Sequence, residues 1–273
     1  MSNTNNRVSA TSADSPPSHS WEPTVINPDG DWRGILVCDH ASNRIPPEYD
    51  NLGLDPELLS AHIASDLGAG ELTLALSERL NAPAVLSPVS RLVVDCNRSA
   101  SESGLILEES DGIPIPGNVA LRPDLAKDRF KRWHMPYHNC IAKTLRQQRR
   151  RNAWACFIAI HSFTPTLMSD GSEEERPWHV GILWNRNERL VQPVLRRLKE
   201  TGDWNIGLNQ PYSGRVHAHT VNLHAQAIDI PHCSFEMRQD QLGTPEDISG
   251  WADRLASVLD ASVTEIFGEA SEG

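Results

Sequence analysis

Short apolar runs alternate with amphipathic stretches through most of this sequence, and that alternation limits the folds it can adopt. Apolar runs bounded by polar or turn residues are typical of buried strands, whereas an apolar repeat near the helical period is typical of packed helices. Because the two patterns take turns along the chain, we predict one α/β domain, with a mainly parallel or mixed sheet and helices on both faces. The predicted strands are 34–38, 84–86, 91–96, 157–160, 179–184 and one that ends at 238, and the predicted helices are 55–80, 124–150, 190–200 and 245–267.

The first part of the chain differs in composition from the rest. Residues 1–30 are rich in Ser, Asn, Thr, Pro and Asp and show no apolar period. Such a segment buries too little apolar surface to offset the entropy lost on ordering. We therefore predict a flexible N-terminal arm over 1–30 and a folded domain over 31–268. With 39% hydrophobic and 22% charged residues among 273, the chain has the composition of a globular domain with a sizeable core.

Charge and hydropathy argue against two classes of partner. The formal net charge is -11 at pH 7, and nucleic-acid binding depends on basic patches, so we expect no nucleic-acid partner. The basic run at 146–151 lies at the end of a predicted helix, where cations complement the helix dipole. No apolar run reaches the roughly 18 residues of a membrane span, so we expect no membrane segment.

The five cysteines favour a reducing compartment. They are odd in number, widely spaced and without a Cys-x-x-Cys pair, so they indicate neither a disulfide framework nor a thiolate zinc site. The sequence has no basic N-terminal segment followed by an apolar stretch. We therefore expect a cytoplasmic protein that is neither secreted nor membrane-spanning.

Three polar side chains of catalytic type stand where apolar runs end. They are His40, His161 and Glu236. In open α/β sheets ligands bind at the carboxyl ends of the strands, so we expect these side chains to meet. A catalytic zinc typically takes neutral imidazoles and a carboxylate from the protein and leaves a fourth position for water. His40 and His161 are the predicted imidazole ligands.

The third ligand of such a site has more than one candidate. Asp66, four residues after His62 in a predicted helix, is the best candidate carboxylate. The rival interpretations of Asp66 are a carboxylate that orients an imidazole from outside and an exposed helix residue beside His62. Asn43, three positions after His40, could reach the same site through its amide oxygen.

Glu236 differs from the metal ligands in kind. It follows an apolar-aromatic segment, so its carboxylate is expected to be partly desolvated, with a pKa raised towards a value useful for proton transfer. That environment suits a general base. The alternative is a salt bridge with Arg238, two residues further along the same strand face.

A pair of polar residues follows the predicted strand 91–96 and suits an acidic ligand. Arg98 offers a planar fork that can hold a carboxylate through two hydrogen bonds, and Asn97 adds an amide. The pattern therefore indicates an acidic substrate. The alternative for Arg98 is an ordinary ion pair with Asp95 or with an acid of the following loop.

Six motifs follow one another over roughly residues 33–260. They are CDHASNRIP at 38–46, HIASDLGA at 62–69, DCNR at 95–98, IHSFTP at 160–165, RPWHVG at 176–181 and FEMRQD at 235–240. In this order they resemble the N-formylglutamate amidohydrolase family, and the ordered set is far more specific than any one motif.

The resemblance implies a fold similar to zinc-dependent carboxypeptidases and deacylases, and a substrate similar to an N-formylated or N-acylated acidic amino acid such as N-formylglutamate. It implies one zinc ion as cofactor and a glutamate that activates water for attack on the amide. The residues implied are His40, Asp66 and His161 for the metal, Glu236 for catalysis, and Asn97, Arg98, Ser162 and Arg238 for the substrate.

One departure leaves other functions open. The zinc carboxypeptidase pattern has a glutamate three residues after the first histidine, where this chain has Asn43. The alternatives are a zinc acylase or peptidase with a different N-acyl substrate and a non-catalytic binding protein on the same fold. A serine hydrolase that uses Ser162 or Ser42 is disfavoured, because neither lies in a Gly-x-Ser-x-Gly turn.

Overall fold

The computed structural model describes residues 21–152, 154–169 and 172–268. Its strands are β1 Thr24–Ile26, β2 Gly34–Cys38, β3 Ala84–Leu86, β4 Glu109–Ser110, β5 Ile113–Pro114, β6 Cys156–Phe163, β7 Thr166–Ser169, β8 Ser172–Glu175, β9 Val180–Leu183, β10 Ile206–Leu208 and β11 His232–Arg238. One seven-stranded sheet has the order β1-β3-β2-β6-β11-β9-β10, and β4-β5 and β7-β8 form two separate ribbons. The predicted α/β domain with a mixed sheet is confirmed.

The centre of the sheet is parallel. Strands β3, β2, β6 and β11 pair in parallel register, so their carboxyl ends meet at one edge. The pairing is antiparallel between β1 and β3 and between β11 and β9, while β10 runs parallel to β9. Strands β2 and β6 are buried along their whole length, as expected for parallel strands that are covered on both faces.

Helices cover both faces of the sheet. Alternate side chains of β6 divide between the two cores, with Ile158 and Ile160 on one side and Phe157 and Ala159 on the other. The helices are α1 Ala69–Leu80, α2 Pro123–Arg129, α3 Met135–Arg151, α4 Val191–Glu200, α5 His219–His224 and α6 Pro245–Gly268. Helices α1, α4 and α6 pack together on the first core, and α3 and α5 pack on the second. Among the described helices, none joins enough length with enough apolarity to span a bilayer.

The long helical pattern over 124–150 is interrupted near its proline. A π-helical turn, Phe130–His134, separates α2 from α3, and Pro136 lies in the first turn of α3. Proline has no N–H to donate and its ring crowds the preceding turn, so the regular helical ladder cannot continue through it. The regular α-helix is interrupted there, as predicted, by the π-helical turn just before Pro136.

The helix predicted over 55–80 is wrong in its first half. Asp55 caps a short 3-10 helix, Pro56–Ser60, through a bond from Glu57 N to its side chain. The chain then turns, and α1 begins only at Ala69. Tertiary contacts cause this break, because Asp66 N donates to the His40 carbonyl at 3.0 Å and draws the segment onto the loop after β2.

The predicted strand 91–96 is also wrong. These residues form turns, although Leu92, Val93 and Val94 are buried as a strand there would be. Their backbone bonds are local or run to loops, as when Val93 N donates to Ser90 O at 3.0 Å. The remaining 3-10 helices are Pro47–Gly53, Ser103–Leu105, Gln226–Ile228 and Gln239–Leu242.

Strand β1 lies inside the range predicted as a flexible arm. It pairs with β3 from Thr24 opposite Leu86 to Ile26 opposite Ala84 and forms one edge of the sheet. Residues 1–20 of the predicted arm lie outside the described residues.

Candidate active site

The carboxyl ends of the central parallel strands bring three predicted residues together. His161 and Glu236 are register partners on β6 and β11, so their side chains stand next to each other on one face. His40 follows β2 by two residues and comes to the same edge. All three side chains are buried. Both His161 and Glu236 lie within strands that run further than their apolar runs indicate.

Asp66 lies between the two imidazoles. Its Oδ2 atom is 3.2 Å from His40 Nδ1 and 2.9 Å from His161 Nδ1. Ser162 N donates to the same oxygen at 3.4 Å. The turn before α1 therefore places the Asp66 carboxylate at the centre of the group, which a continuous helix from Asp55 would not do.

The outer nitrogens of both imidazoles face further carboxylates. His40 Nε2 is 2.8 Å from Asp95 Oδ1, and His161 Nε2 is 3.2 Å from Asp39 Oδ2. A protonated ring donates at both nitrogens, from Nδ1 to Asp66 and from Nε2 to the outer carboxylate; once the Nδ1 proton is lost, Nδ1 can bind a metal ion while Nε2 still donates outwards. This arrangement is typical of histidines that bind metal, since the outer carboxylate selects the tautomer and ring orientation.

Arg91 balances the buried acids. Its guanidinium donates to Asp66 Oδ1 at 3.0 Å and to Asp95 Oδ2 at 3.3 Å. Burial raises the pKa of Asp66, but the charge on His40 and the hydrogen bond from His161 outweigh it and hold the pKa well below its usual value. Burial likewise opposes ionisation of Asp95, but His40 and Arg91 lower its pKa. The carboxylates are therefore ionised at neutral pH.

The same contacts act on the histidines in the opposite direction. Burial and the Arg91 charge lower the pKa of His40, and Asp95 and Asp66 outweigh them and raise it. Burial lowers the pKa of His161, but its hydrogen bonds to Asp39 and Asp66 raise it well above the usual value. Both rings are therefore surrounded by carboxylates, and their negative charge favours binding of a cation.

The donor set fits a zinc ion. One ligand atom each from His40, Asp66 and His161 lies within 4.8 Å of the other two, and all three residues are buried. Two imidazole nitrogens and one carboxylate oxygen are the ligand types that a catalytic zinc takes. The excess of buried negative charge around the imidazoles gives a second reason for a cation to bind here.

Glu236 has the properties of a proton-transfer group. Its side chain is 6% exposed, and its Oε2 atom has no hydrogen-bond partner among the described residues. Burial is the main cause that raises the pKa of Glu236 to about 7, with Asp66 adding to the shift and His161 opposing it. The predicted alternative, a bridge to Arg238, is wrong, because Arg238 pairs with Asp240 at 2.7 Å.

A cavity of about 160 Å³ opens over these groups. The predicted metal ligands and Glu236 line it, as do the predicted substrate-binding residues Asn97, Arg98 and Ser162. Arg98 lies 3.7 Å from Asp95 Oδ2 and 3.6 Å from Glu102 Oε2, so its side chain is held by weak ion pairs at the mouth. Arg91, Asp95, Tyr212 and His217 complete the wall.

A second cavity of about 170 Å³ adjoins the first and shares Asp66, Arg91, Ser162 and Tyr212 with it. Arg176 lies in its wall, is 6% exposed and donates to Tyr212 Oη at 3.2 Å and Thr164 Oγ1 at 3.3 Å. Its guanidinium takes part in no ion pair among the described residues. This buried cation is therefore available to an anionic ligand.

Two candidates from the sequence lie elsewhere. Arg238 is not among the described residues that line either cavity, and its guanidinium is held by Asp240 and by the Arg176 carbonyl at 3.1 Å. Asn43 donates to the Leu59 carbonyl at 2.8 Å and is absent from both linings, so it does not approach the imidazoles.

Sequence analysis did not select four other charged residues of the site. They are Asp39, Arg91, Asp95 and Arg176. Their roles depend on partners far along the chain, as with Thr220 Oγ1, which donates to Asp39 Oδ1 at 2.7 Å. The one signal in the sequence that could have identified them is their position inside or near the six motifs.

Comparisons with known proteins identify the family of the chain. Residues 33–242 match the family described as N-formylglutamate amidohydrolase. No curated protein matches the chain. The crystal structure of the gene product Atu2144 from Agrobacterium tumefaciens is 29% identical, with a TM-score of 0.84 over 90% of this chain and 96% of that one. The crystal structure of N-formylglutamate amidohydrolase from Ralstonia eutropha JMP134 shares the fold, with 17% identity and a TM-score of 0.66 over 89% of this chain and 97% of that one.

The family match covers more than half of the chain and includes all the residues that line the central cavity. The buried His–Asp–His group and the unpartnered glutamate belong to that matched region. This chain belongs to the N-formylglutamate amidohydrolase family, and it is an amide hydrolase.

Proposed function

We propose that this protein is a zinc-dependent hydrolase of N-formyl or N-acyl acidic amino acids, with N-formylglutamate or a close analogue as substrate. The observation that carries the proposal is the unpartnered, buried Glu236 carboxylate beside the His40–Asp66–His161 group. A proton-transfer group and a metal-ligand set then face the same cavity.

The ligands of the zinc ion in this proposal are His40, Asp66 and His161. Asp95 and Asp39 hold the two imidazoles in place from outside. Zinc bound there supplies Lewis acidity, which lowers the pKa of water and polarises the scissile carbonyl.

Glu236 then serves as the general base. Its carboxylate accepts a proton from the attacking water while the water oxygen bonds to the amide carbon. As the C–N bond breaks, Glu236 returns that proton to the leaving nitrogen. A pKa of about 7 suits both directions of transfer, because the group loses and gains a proton at similar cost near neutral pH.

Two separate cations account for an acidic substrate with two carboxylates. Asn97 and Arg98 face the first cavity and hold the α-carboxylate in our proposal. Arg176 faces the adjoining cavity and holds the side-chain carboxylate. Since both cavities share Ser162 and Tyr212, one small molecule can extend from one into the other.

The test is turnover on a panel of N-formyl and other N-acyl amino acids, acidic and neutral, by zinc-loaded wild type and by Glu236→Gln. We expect release of the free acidic amino acid by the wild type. In Glu236→Gln, kcat should fall by about 100-fold or more, with the zinc content unchanged. Glu48→Gln is the control, because Glu48 is an exposed glutamate paired with Arg132.

Three results would contradict parts of the proposal. Equal turnover by Glu236→Gln and wild type would remove the general base. Preference for neutral N-acyl amino acids or peptides would favour a different acylase on the same metal site. Absence of turnover on every substrate by zinc-loaded wild type would favour the non-catalytic binding protein.

A further inference from the structure

A second group of histidines lies behind the loop that carries Asn97 and Arg98. His134 and His138 come from the junction before α3 and from α3 itself, and His219 and His224 come from α5. The ring centroids of His134 and His138 are 4.2 Å apart, and those of His138 and His219 are 5.4 Å apart. The group shares no residue with the His40–Asp66–His161 site.

Two backbone carbonyls select the tautomers of the first pair. His134 Nε2 lies 2.8 Å from the Arg98 carbonyl, and His138 Nε2 lies 2.9 Å from the Cys96 carbonyl. A carbonyl oxygen only accepts, so both Nε2 atoms carry the proton. In a neutral ring the other nitrogen, Nδ1, then carries a free lone pair. Metal-binding histidines are commonly oriented by such an outward bond to a carbonyl.

Each ring of this pair keeps one nitrogen that is not bonded to a backbone carbonyl. His134 is 4% exposed, and its Nδ1 is buried and has no hydrogen-bond partner among the described residues. His138 Nδ1 is 2.9 Å from His224 Nε2, so the His224 ring donates to it in the absence of a ligand. One ligand atom each from His134, His138 and His219 lies within 4.8 Å of the other two.

We propose that His134, His138 and His219 form a second metal site, which binds a divalent late first-row transition ion such as zinc. Three imidazoles without a thiolate or an adjoining carboxylate ligand suit zinc, copper or nickel rather than magnesium or calcium. His224, hydrogen-bonded to His138, completes the site or orients it.

The position of the site gives it a structural effect. His134 and His138 donate to the carbonyls of Arg98 and Cys96. Thr220, next to His219, donates its backbone N–H to Asn97 Oδ1 at 3.1 Å. An ion bound to the three imidazoles ties α3 to α5 on either side of this loop. The site therefore stabilises the loop that presents Asn97 and Arg98 to the first cavity.

The test is zinc stoichiometry of the chelator-stripped full chain without a His-tag, measured by titration against a chromophoric competitor. His219→Ala removes one ligand, and neither ring nitrogen of His219 has a hydrogen bond among the described residues, so the fold loses little. His134→Gln is the second variant. His179→Gln is the control, because His179 is half-buried like His219 but contacts Trp204 instead. Circular dichroism checks that each variant is folded.

We expect wild type and His179→Gln to bind two zinc ions, and the two ligand variants to bind one. The affinity for the second ion should fall by about 100-fold or more in each ligand variant. Loss of a residue that only orients a ligand weakens metal binding by about 10- to 100-fold, and loss of the ligand itself should cost at least as much. Cobalt substitution should give a second visible band that is lost in His219→Ala.

The stoichiometry separates this inference from the proposed function. Equal binding in wild type, His219→Ala and His134→Gln would overturn the second site and leave the first unaffected. A single ion in the wild type that disappears in both variants would support the second site and count against zinc at His40, Asp66 and His161. Binding of no ion by the wild type would overturn both.

Discussion

At the scale of single residues, the site is a set of buried charges that satisfy one another through long-range contacts. Asp66 is bonded to both imidazoles on one oxygen and to Arg91 on the other. Removal of one charge from such a group leaves its partners buried and unpaired, which costs more than the lost contact itself. Substitutions that remove a charge and keep the shape of the side chain therefore test these contacts.

Asp95→Asn tests the orientation of His40. Loss of the carboxylate that accepts from His40 Nε2 should weaken zinc binding at the first site by about 10- to 100-fold, because the outer partner raises ligand basicity and fixes the ring. Zinc affinity by chelator competition is the measurement. Asp240→Asn is the matched control, since Asp240 pairs with Arg238 outside the cavities. Equal affinity in Asp95→Asn and wild type would contradict the role of Asp95.

Arg176→Met tests recognition of the side-chain carboxylate. Loss of a charge-assisted hydrogen bond of about 1.5–3 kcal/mol corresponds to about a 10- to 100-fold rise in KM for N-formylglutamate. KM for N-formylglutamine should change little in the same variant. Steady-state kinetics on both compounds make the comparison.

Arg238→Met is the control for that experiment. Its guanidinium is engaged with Asp240 and the Arg176 carbonyl, so we expect a KM near that of wild type. A large rise in KM for N-formylglutamate in Arg238→Met would support the substrate-binding role that the resemblance implies for Arg238. An equal rise in KM for both compounds in Arg176→Met would contradict the role of Arg176 in recognising the side-chain carboxylate.

At the scale of elements, turns between helices and strands decide where the site residues stand. The start of α1 is the clearest case. Gly68 has φ 77°, and a Cβ there would lie 2.6 Å from Leu242 Cβ. The helical period over 55–80 continues through this position, so the periodicity alone did not reveal the turn that places Asp66.

Gly68→Ala should destabilise the fold by more than the about 1–2 kcal/mol of a left-handed alanine, because the Leu242 contact adds to the backbone strain. Activity should fall as well, since the turn positions Asp66. Gly250→Ala, in α6 with no atom within 4 Å of the added Cβ, should stabilise by about 0.5–1 kcal/mol. Urea unfolding measures both variants. Equal shifts in the two variants would contradict the strained turn.

His232, the first residue of β11, makes the stability of the fold depend on pH. His232 is fully buried, its Nδ1 donates to the Ile230 carbonyl at 2.8 Å, and its Nε2 has no partner among the described residues. Burial is the main cause that lowers its pKa below the unfolded value of about 6.5. The stability due to the neutral ring is therefore present above about pH 6.5 and is lost as the pH falls below it.

His232→Asn removes the titrating ring and keeps a donor for Ile230 O. Between pH 6.5 and pH 5 the free energy of unfolding should fall more steeply with pH in the wild type than in His232→Asn. The difference in slope should be up to about 1.4 kcal/mol per pH unit. Urea unfolding at several pH values, in chelator-containing buffer, gives the two curves. Parallel curves would show that His232 does not contribute.

Elements with strong local signals were predicted well. Strand β2 and strand β3 have the predicted bounds, and α4 and α6 differ from prediction by one residue at an end. The segment 91–96 shows the limit, because burial of Leu92 and Val94 is encoded in their apolarity, whereas strand pairing needs a neighbour that the fold does not provide there.

At the scale of the whole molecule, one sheet edge organises the residues of the first cavity. The parallel pairing of β2, β6 and β11 brings His40, His161 and Glu236 together, and the loop at 95–98 separates them from the histidines of α3 and α5. Buried apolar faces on both sides of the sheet hold this edge in place. The rigidity that catalysis requires thus comes from the core.

The sequence by itself determined the α/β class, the apolar runs that lead into His40, His161 and Glu236, and the family, because apolar periods and ordered motifs are local signals. Only the tertiary structure decided that Asp66 rather than Asn43 faces the imidazoles, that Arg238 turns away to Asp240, and that Arg91 and Arg176 enter the cavities. The physical reason is that a charged side chain is positioned by whichever opposite charge the packed core brings near it. Such partners stand tens of residues away in the chain, as with Asp66 and His161, and no local pattern records them.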